Sequence, residues 1–298
     1  MNNNQIKGIS FALITAIISG IAIFYNKIII VSGIEPLTLN ILKNSGSAII
    51  LSFLLITSST KQDILKLKRN DWAKLFLIAL LGGSLPFILY FEGLKHVSVA
   101  NANLIHKTLF IWVAAMAIPI LGERLSFIQV LGYILLVWGN IFFSNTINFP
   151  IGHGELLIFS ATILWSLENI IAKFALKNID PKIVGWARMF LGIFILGLFA
   201  ISQNKLNLIF NVNPRYILPI GVSSILLASY VTSYFKALKF APATLVTSIL
   251  ILATPVTNIL YSVFILHNLP QSTFISSLFI LGGIILIVPL AKKMNIQK

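Results

Sequence analysis

Ten stretches of about twenty mostly apolar residues divide the chain, and they constrain its fold more than any other feature. A helix needs roughly 20 apolar residues to cross a bilayer core about 30 Å thick. The breaks between the stretches are too short to hold a separate soluble domain. The sequence therefore predicts an all-α integral membrane protein with ten transmembrane helices. The predicted spans are residues 8–31, 36–57, 73–92, 98–121, 125–144, 155–176, 182–202, 215–236, 243–266 and 272–291.

Composition excludes several other classes of protein. Hydrophobic residues make up 57% of the chain and charged residues 10%, whereas charged residues make up about 25% of an ordinary soluble domain. The chain has no cysteine, which excludes disulfide frameworks, thiolate metal sites and cysteine nucleophiles. We expect neither a metal nor a cofactor.

The distribution of positive charge predicts the orientation in the membrane. Lys and Arg are enriched in cytoplasmic loops. With the N-terminus inside and ten spans, fifteen of the 22 Lys and Arg residues lie in inner segments, three lie in outer segments and four lie within spans. This bias predicts a multi-pass protein of the cytoplasmic membrane with both termini in the cytoplasm. Since the net charge of +14 is spread over short inner loops, it does not indicate a nucleic-acid partner.

An internal repeat relates the two halves of the chain. Residues 34–55 align with residues 179–200 at a constant offset of 145. The sequence therefore predicts two five-helix repeats, residues 1–147 and 148–298. Because five is odd, the second repeat must enter the membrane inverted relative to the first, as in many secondary transporters. The matched pairs include Ile34 with Ile179, Glu35 with Asp180, Pro36 with Pro181 and Lys43 with Arg188.

Several motifs resemble those of the EamA-type permeases in the drug/metabolite transporter superfamily. They are LWSLENIIAKFALKNIDPKIVGWARMFLG at 164–192, ALKFAPATLVTSILILATPV at 237–256 and GERL at 122–125. In the first half, Ser19 and Phe110 stand where the second half has Trp165 and Pro255, and Lys43 replaces the usual Arg. The resemblance implies a ten-helix carrier that moves small metabolites by alternating access, without ATP. The sequence agrees, since it contains no GxxxxGK[ST] phosphate loop.

Two buried cations are candidates for binding substrate. Lys43 lies seven residues after Pro36, and Arg188 lies seven residues after Pro181, which places each about 10 Å along its helix. Ionisable side chains inside a membrane are costly and usually face a cavity or a partner. Lys43 and Arg188 could together bind a carboxylate or phosphate, or each could hold helix ends of its own half.

The fourth span carries the densest cluster of polar residues. Asn103, His106 and Lys107 have the spacing of one helix face, and we expect this face to line the cavity. Tyr90 and Trp165 are candidates for stacking on a flat substrate. The alternatives are interhelical hydrogen bonds for the polar residues and interface or packing roles for the aromatic residues.

The spans contain two acidic residues, Glu92 and Glu168. Either could pair with Lys107 or Arg188, or could carry a coupling proton if burial favours its neutral form. Glu92 could also lie at the outer surface. Glu123 lies in an inner loop and is interpreted as a loop or helix-capping residue.

These features favour a secondary transporter of small polar or amphipathic metabolites, whose partners are the solute and the lipid bilayer. Four basic positions against two acidic ones within the spans suggest a substrate with a carboxylate or phosphate, such as an amino acid. An intramembrane enzyme would need a convergent set such as HExxH or paired aspartates, and the sequence has neither. A channel or a membrane assembly subunit is the alternative. The sequence leaves the coupling ion, the direction of flow and the oligomeric state open.

Overall fold

The computed structural model describes residues 3–144 and 152–288, and within these ranges the chain folds into helices and connecting turns. The predicted repeat boundary at 147/148 and the C-terminus lie outside the described residues. We number the ten main helices along the chain. They are α1 Asn3–Val31, α2 Pro36–Ile56, α3 Arg69–Gly93, α4 Val99–Lys107 with Leu109–Leu121, α5 Phe127–Ser144, α6 His153–Ala175, α7 Pro181–Ser202, α8 Ile217–Phe240, α9 Ala243–Leu250 with Ala253–Tyr261 and the π-turn Ser262–Leu266, and α10 Gln271–Ile287.

The helices make this a multi-pass membrane protein. Eight of them are long and apolar enough to cross a bilayer, whereas the apolar parts of α5 and α10, Phe127–Phe142 and Gln271–Ile287, are shorter. Many large apolar side chains on the outside of the bundle are exposed, including Phe53, Phe194 and Ile285. Such a surface is suited to lipid. The count of ten spans stays a prediction.

The repeated acidic-Pro turn begins a helix in both halves. Pro36 and Pro181 each occupy the first helical turn, where the missing N–H of proline costs no hydrogen bond. The preceding carboxylates cap these helices. Glu35 accepts from the Thr38 N–H at 2.7 Å, and Asp180 accepts from the Lys182 N–H at 2.8 Å. The sequence repeat therefore marks equivalent helix starts.

Eight helices form a closed ring. The order of contact around it is α2, α7, α3, α6, α4, α9, α1, α8 and back to α2. Helices α5 and α10 pack against each other, outside the ring and beside α4 and α9. Exchanging the halves, so that α1 becomes α6 and α2 becomes α7, leaves this set of neighbouring pairs unchanged. The pairs α2 with α7 and α4 with α9 map onto themselves, and each of the others maps onto another pair in the ring. The ring thus alternates helices from the two halves.

The two ends of the bundle can be named from the loops that meet there. At one end, Glu123 after α4 contacts Ala243 at the start of α9, and we call this the Glu123 end. At the other, Glu35 before α2 contacts Lys205 after α7, and we call this the Glu35 end. Every helix of the ring runs from one end to the other.

Helices α2 and α7 cross the bundle in opposite directions. Leu37 and Ile41, early in α2, pack in one cluster with Leu196 and Ala200, late in α7. Towards the Glu123 end, the Trp186 Nε1–H donates to Ser52 Oγ at 2.9 Å. These equivalent helices of the two halves are therefore antiparallel.

Three helices of the ring are irregular near their middle. Helix α3 contains a π-turn at Ala79–Ser84. Helix α4 breaks at Thr108 and α9 breaks at Ile251 and Leu252, and both breaks are tightened by i→i−3 hydrogen bonds. The sequence analysis predicted α4 and α9 as continuous, but the breaks lie at equivalent positions of the two halves. Discontinuous helices at equivalent positions are common at the binding sites of transporters.

Candidate functional site

The break in α4 lies beside a group of aromatic rings from three helices, which we call the aromatic cluster (Tyr90, His106 and Trp165). The His106 and Trp165 ring centroids are 4.7 Å apart, and the Tyr90 ring is 5.7 Å from His106 and 5.8 Å from Trp165. The Tyr90 hydroxyl is 3.5 Å from Asn103 Oδ1. The structure thus brings together four predicted substrate-binding residues from α3, α4 and α6.

His106 presents an unused polar atom in this cluster. Its Nδ1 is buried and has no hydrogen-bond partner among the described residues. A buried polar atom without a partner is costly, and a solute group could satisfy it. Tyr90, Asn103 and His106 are half-buried, so the cluster retains accessible surface.

Arg188 does not extend freely into the ring. Its Nε lies 2.7 Å from Glu168 Oε1, and its Nη2 donates to the Gly82 carbonyl at 3.0 Å. The Arg188 and Glu168 side chains are only 7% and 3% exposed. The buried charge of Arg188 is therefore matched by Glu168 inside the protein.

A further polar contact joins α6 to α8 across the ring. The Tyr234 hydroxyl donates to Asn169 Oδ1, and the Asn169 amide donates to the Trp165 carbonyl at 2.8 Å. The Tyr230 ring stacks on Tyr234 with centroids 5.6 Å apart. The sequence analysis missed Asn169. The only signal for it was an amide immediately after a buried acid.

Lys43 makes fewer polar contacts than Arg188. It lies one turn before Gly46 and Ser47, which contact Ser224 of α8, and it is half-buried on that face of α2. Its ammonium makes no ion pair or hydrogen bond within residues 3–144 and 152–288. Lys43 and Arg188, which are equivalent in sequence, therefore have different surroundings.

The remaining predicted site residues divide between the interior and the surface. Lys107 is half-buried next to the α4 break. Glu92 pairs with Lys95 at 2.5 Å, and both side chains are about half exposed at the Glu35 end. Glu92 is therefore not brought together with the aromatic cluster. No three His, Asp or Glu residues in the described part of the chain are grouped to hold a metal.

Hydrogen bonds close the Glu123 end of the ring. The Glu123 carboxylate accepts from the Ala243 N–H at 2.7 Å, the Thr244 N–H at 3.0 Å and the Thr244 hydroxyl at 2.6 Å. Lys173 donates to the carbonyls of Leu238 and Ala241 at 2.5 and 2.6 Å. Glu123 thus caps α9, and Lys173 satisfies carbonyls at the end of α8.

We expect Glu123→Ala to lower the free energy of unfolding by about 1–2 kcal/mol, because α9 loses a charged N-cap. The measurement is unfolding in mixed micelles, followed by tryptophan fluorescence. Asp63→Ala is the matched control. It also removes a carboxylate, but from an exposed pair with Lys66, and it should leave stability nearly unchanged. Equal effects of the two substitutions would contradict the capping role of Glu123.

A separate cleft of about 200 Å³ lies at the Glu35 end between α2, α3 and α7. Two ion pairs lie at its rim, Glu35 with Lys205 at 2.8 Å and Glu92 with Lys95. Burial raises the pKa of Glu35, but hydrogen bonds from Lys205 and Thr38 lower it more, so its pKa is below the ordinary value of 4.5. The stabilisation from Glu35 is present above pH 4.5 and is lost as the pH falls through the lowered pKa. The cleft does not include the aromatic cluster.

Comparison with known proteins identifies the family. The sequence profile of the EamA-like transporter family matches residues 6–145 and 152–288. The chain belongs to the EamA-like transporter family. Membership indicates a membrane transporter of small solutes and points away from an enzyme.

Individual relatives agree with this assignment. An uncharacterized transporter of Methanothermobacter thermautotrophicus (strain Delta H) is 27% identical over 137 residues, which cover 44% of this chain and 40% of the relative. The alignment thus spans less than half of that protein. A protein of known crystal structure superposes with a TM-score of 0.75 at 15% identity, over 97% of this chain and 98% of that chain. At this identity the match supports the fold alone.

Proposed function

We propose that this EamA-like protein is a secondary transporter of small polar or amphipathic solutes that carry a carboxylate or phosphate. It works by alternating access in the cytoplasmic membrane, as ten spans arranged in two inverted five-helix repeats, 1–147 and 148–298. Both termini and the Glu123 end face the cytoplasm. The alternating ring, the equivalent breaks in α4 and α9 and the antiparallel pair α2 and α7 support this architecture.

The proposal for the substrate rests on the ammonium of Lys43, which makes no ion pair or hydrogen bond with residues 3–144 and 152–288. Glu168 neutralises Arg188, Lys173 is held by helix-end carbonyls, and Lys27 lies 3.7 Å from the centre of the Tyr261 ring. The positive charge of Lys43 lacks such a protein partner within the described residues. Because a charge within a membrane span is costly unless it has a partner or faces a cavity, an anionic solute group is its natural partner.

The aromatic cluster supplies the rest of the proposed site. Tyr90, His106 and Trp165 offer flat faces for the apolar part of a solute, and Asn103 and the His106 Nδ1 offer polar contacts. Lys107, the residue after His106 in α4, adds a second positive charge to the proposed site. Such a mixture of apolar surface and a few convergent polar groups is typical of small-molecule sites.

Burial differs between the two ends and supports an outward-facing state. At the Glu123 end, Thr244, Thr247 and Ser248 of α9 are buried, and their hydroxyls are bonded to carboxylate or carbonyl oxygens. Nearer the Glu35 end, Asn103 and His106 of α4 are half-buried. In the alternate state, the contacts of Glu123 and Lys173 would open. Glu168 is a candidate for proton coupling, since its carboxylate is released only if the Arg188 pair breaks.

The test is a thermal-stability screen of the purified protein with carboxylate, phosphate, neutral and cationic metabolites, followed by counterflow of the best ligand in liposomes. We expect anionic or zwitterionic compounds to raise the melting temperature, and flux to saturate and show counterflow. Stabilisation by cationic compounds alone would contradict the substrate class. Flux that does not saturate would indicate the alternative, a channel.

A further inference from the structure

The carbonyl of Gly82 in α3 lacks its ordinary helical donor. In an α-helix it would accept from the N–H of residue 86, but residue 86 is a proline and has no N–H. Gly82 also lies within the π-turn Ala79–Ser84, where the Leu85 N–H bonds to the Leu80 carbonyl. The Gly82 carbonyl therefore lacks the α-helical hydrogen bond, and a carbonyl in the middle of the bundle needs another donor.

Two side chains from other helices supply that donor. Arg188 Nη2 of α7 donates to the Gly82 carbonyl at 3.0 Å, and Trp165 Nε1 of α6 donates at 3.2 Å. Glu168, also of α6, fixes the guanidinium through the contact with Arg188 Nε. Since arginine presents its donors in a rigid plane, one side chain can satisfy the carboxylate and the carbonyl together.

Close packing fixes the same turn against α6 and α7. A Cβ at Gly82 would overlap the Glu168 carboxylate, and a Cβ at Gly83 would overlap the Arg188 carbonyl. Gly83 also packs directly on Gly192 of α7. The backbone of α3 therefore meets α7 where the two hydrogen bonds form.

The π-turn connects to the proposed solute site in two ways, along the chain of α3 and through the side chain of Trp165. The segment Leu85–Gly93 follows it and carries Tyr90. Trp165, which donates to Gly82, also contacts the rings of Tyr90 and His106. The hydrogen-bonded turn thus adjoins Tyr90 along the chain and, through Trp165, in space.

We infer that Arg188 is a positioning residue, which replaces the hydrogen bond that Pro86 removes from α3 and so holds the Tyr90 segment in place for solute binding. Trp165 supplies the second bond and links the turn to the aromatic cluster. This role rests on the proposed transport function, but it assigns the anionic group of the solute to Lys43 instead of Arg188. The two residues that are equivalent in the repeat thus have different tasks.

The absence of cysteine allows a direct test with one introduced thiol. Ser84, at the end of the π-turn, is fully buried, so the thiol of Ser84→Cys should react slowly with N-ethylmaleimide. The background variant combines Arg188→Met with Glu168→Gln, which leaves no buried carboxylate unpaired. We expect the introduced thiol to react at least about tenfold faster in this background, because a charged hydrogen bond to the turn is lost. Adding Pro86→Ala should return the rate to within about threefold of the parent, because residue 86 regains its N–H.

Two further variants complete the experiment. Trp165→Phe removes the second donor without changing charge, and it should cause a smaller increase that Pro86→Ala also reverses. Lys173→Ala, the matched control, removes two hydrogen bonds elsewhere in the bundle and should not change the rate. The inference is overturned if neither background exposes the introduced thiol, or if Pro86→Ala fails to reverse the exposure in both. Since no solute is needed, a failure of the proposed transport function would be seen separately, in the flux assay.

Discussion

Arg188→Ala is expected to lower the free energy of unfolding by about 3–5 kcal/mol, because it leaves the Glu168 carboxylate buried without a counter-charge. Glu168 is only 2% exposed, so solvent contributes little to stabilising its charge in the intact protein. The measurement is unfolding in mixed micelles of detergent and dodecyl sulfate, followed by tryptophan fluorescence.

The control is the combination of Arg188→Met with Glu168→Gln. It removes the charges together, so the remaining cost is the charged hydrogen bond to Gly82, about 1.5–3 kcal/mol. The single substitution should therefore be the more destabilising of the two. If the single and the combined variants were equally stable, the pair would not be the buried ion pair described here.

Lys43→Ala is expected to reduce flux of the anionic or zwitterionic substrate by about 30–1,000-fold, because the solute anion then enters a site without its positive partner. The loss should be mainly in affinity. Since Lys43 makes no ion pair or hydrogen bond in the described part of the protein, the melting temperature without solute should not fall. The checks are initial rates in liposomes and thermal unfolding of the same preparation.

Lys27→Ala is the matched control for Lys43. It also removes a lysine from a span, but the Lys27 ammonium lies on the Tyr261 ring, and flux should stay within about twofold. Lys43→Arg should retain most activity, since it keeps the charge. Wild-type flux with Lys43→Ala would remove Lys43 from the site and would contradict the proposed substrate class.

The main helices and several of their bounds could be predicted from the sequence. Apolar length decides where a chain can span a bilayer, and the acidic-Pro turns at Glu35 and Asp180 cap α2 and α7 in the structure. The aromatic and polar residues of α3, α4 and α6 could be named as candidates because polar side chains are rare in spans. Apolar length, acidic-Pro turns and polar residues within spans are local features of the chain, so a single sequence is enough to identify them.

The contacts that define the site could not be predicted in this way. No proline or glycine lies near the break at Thr108, which depends on packing around α4. At the other break, Pro255 removes the N–H that the Ile251 carbonyl would accept in a continuous helix, but a proline inside a span is also compatible with an unbroken helix. The pairing of Arg188 with Glu168 and Gly82 joins three helices, and spacing along one chain does not say which helices meet. One signal was available, since Pro86 lies four residues after Gly82 and removes its donor. Even so, the sequence could not show that Arg188 and Trp165 replace it.

The most direct test of a solute cavity that opens to one side at a time is labelling of two single-cysteine variants with a membrane-impermeant thiol reagent. Asn103→Cys lies on the half-buried face of α4, and Thr247→Cys lies at the buried Glu123 end of α9. Without solute, we predict that the α4 thiol reacts from outside the cell and that the α9 thiol is protected from both sides. Transported solute should slow labelling of the α4 thiol and expose the α9 thiol to the cytoplasmic side. Simultaneous labelling of either thiol from both sides, unchanged by solute, would reveal an open pore and contradict the account.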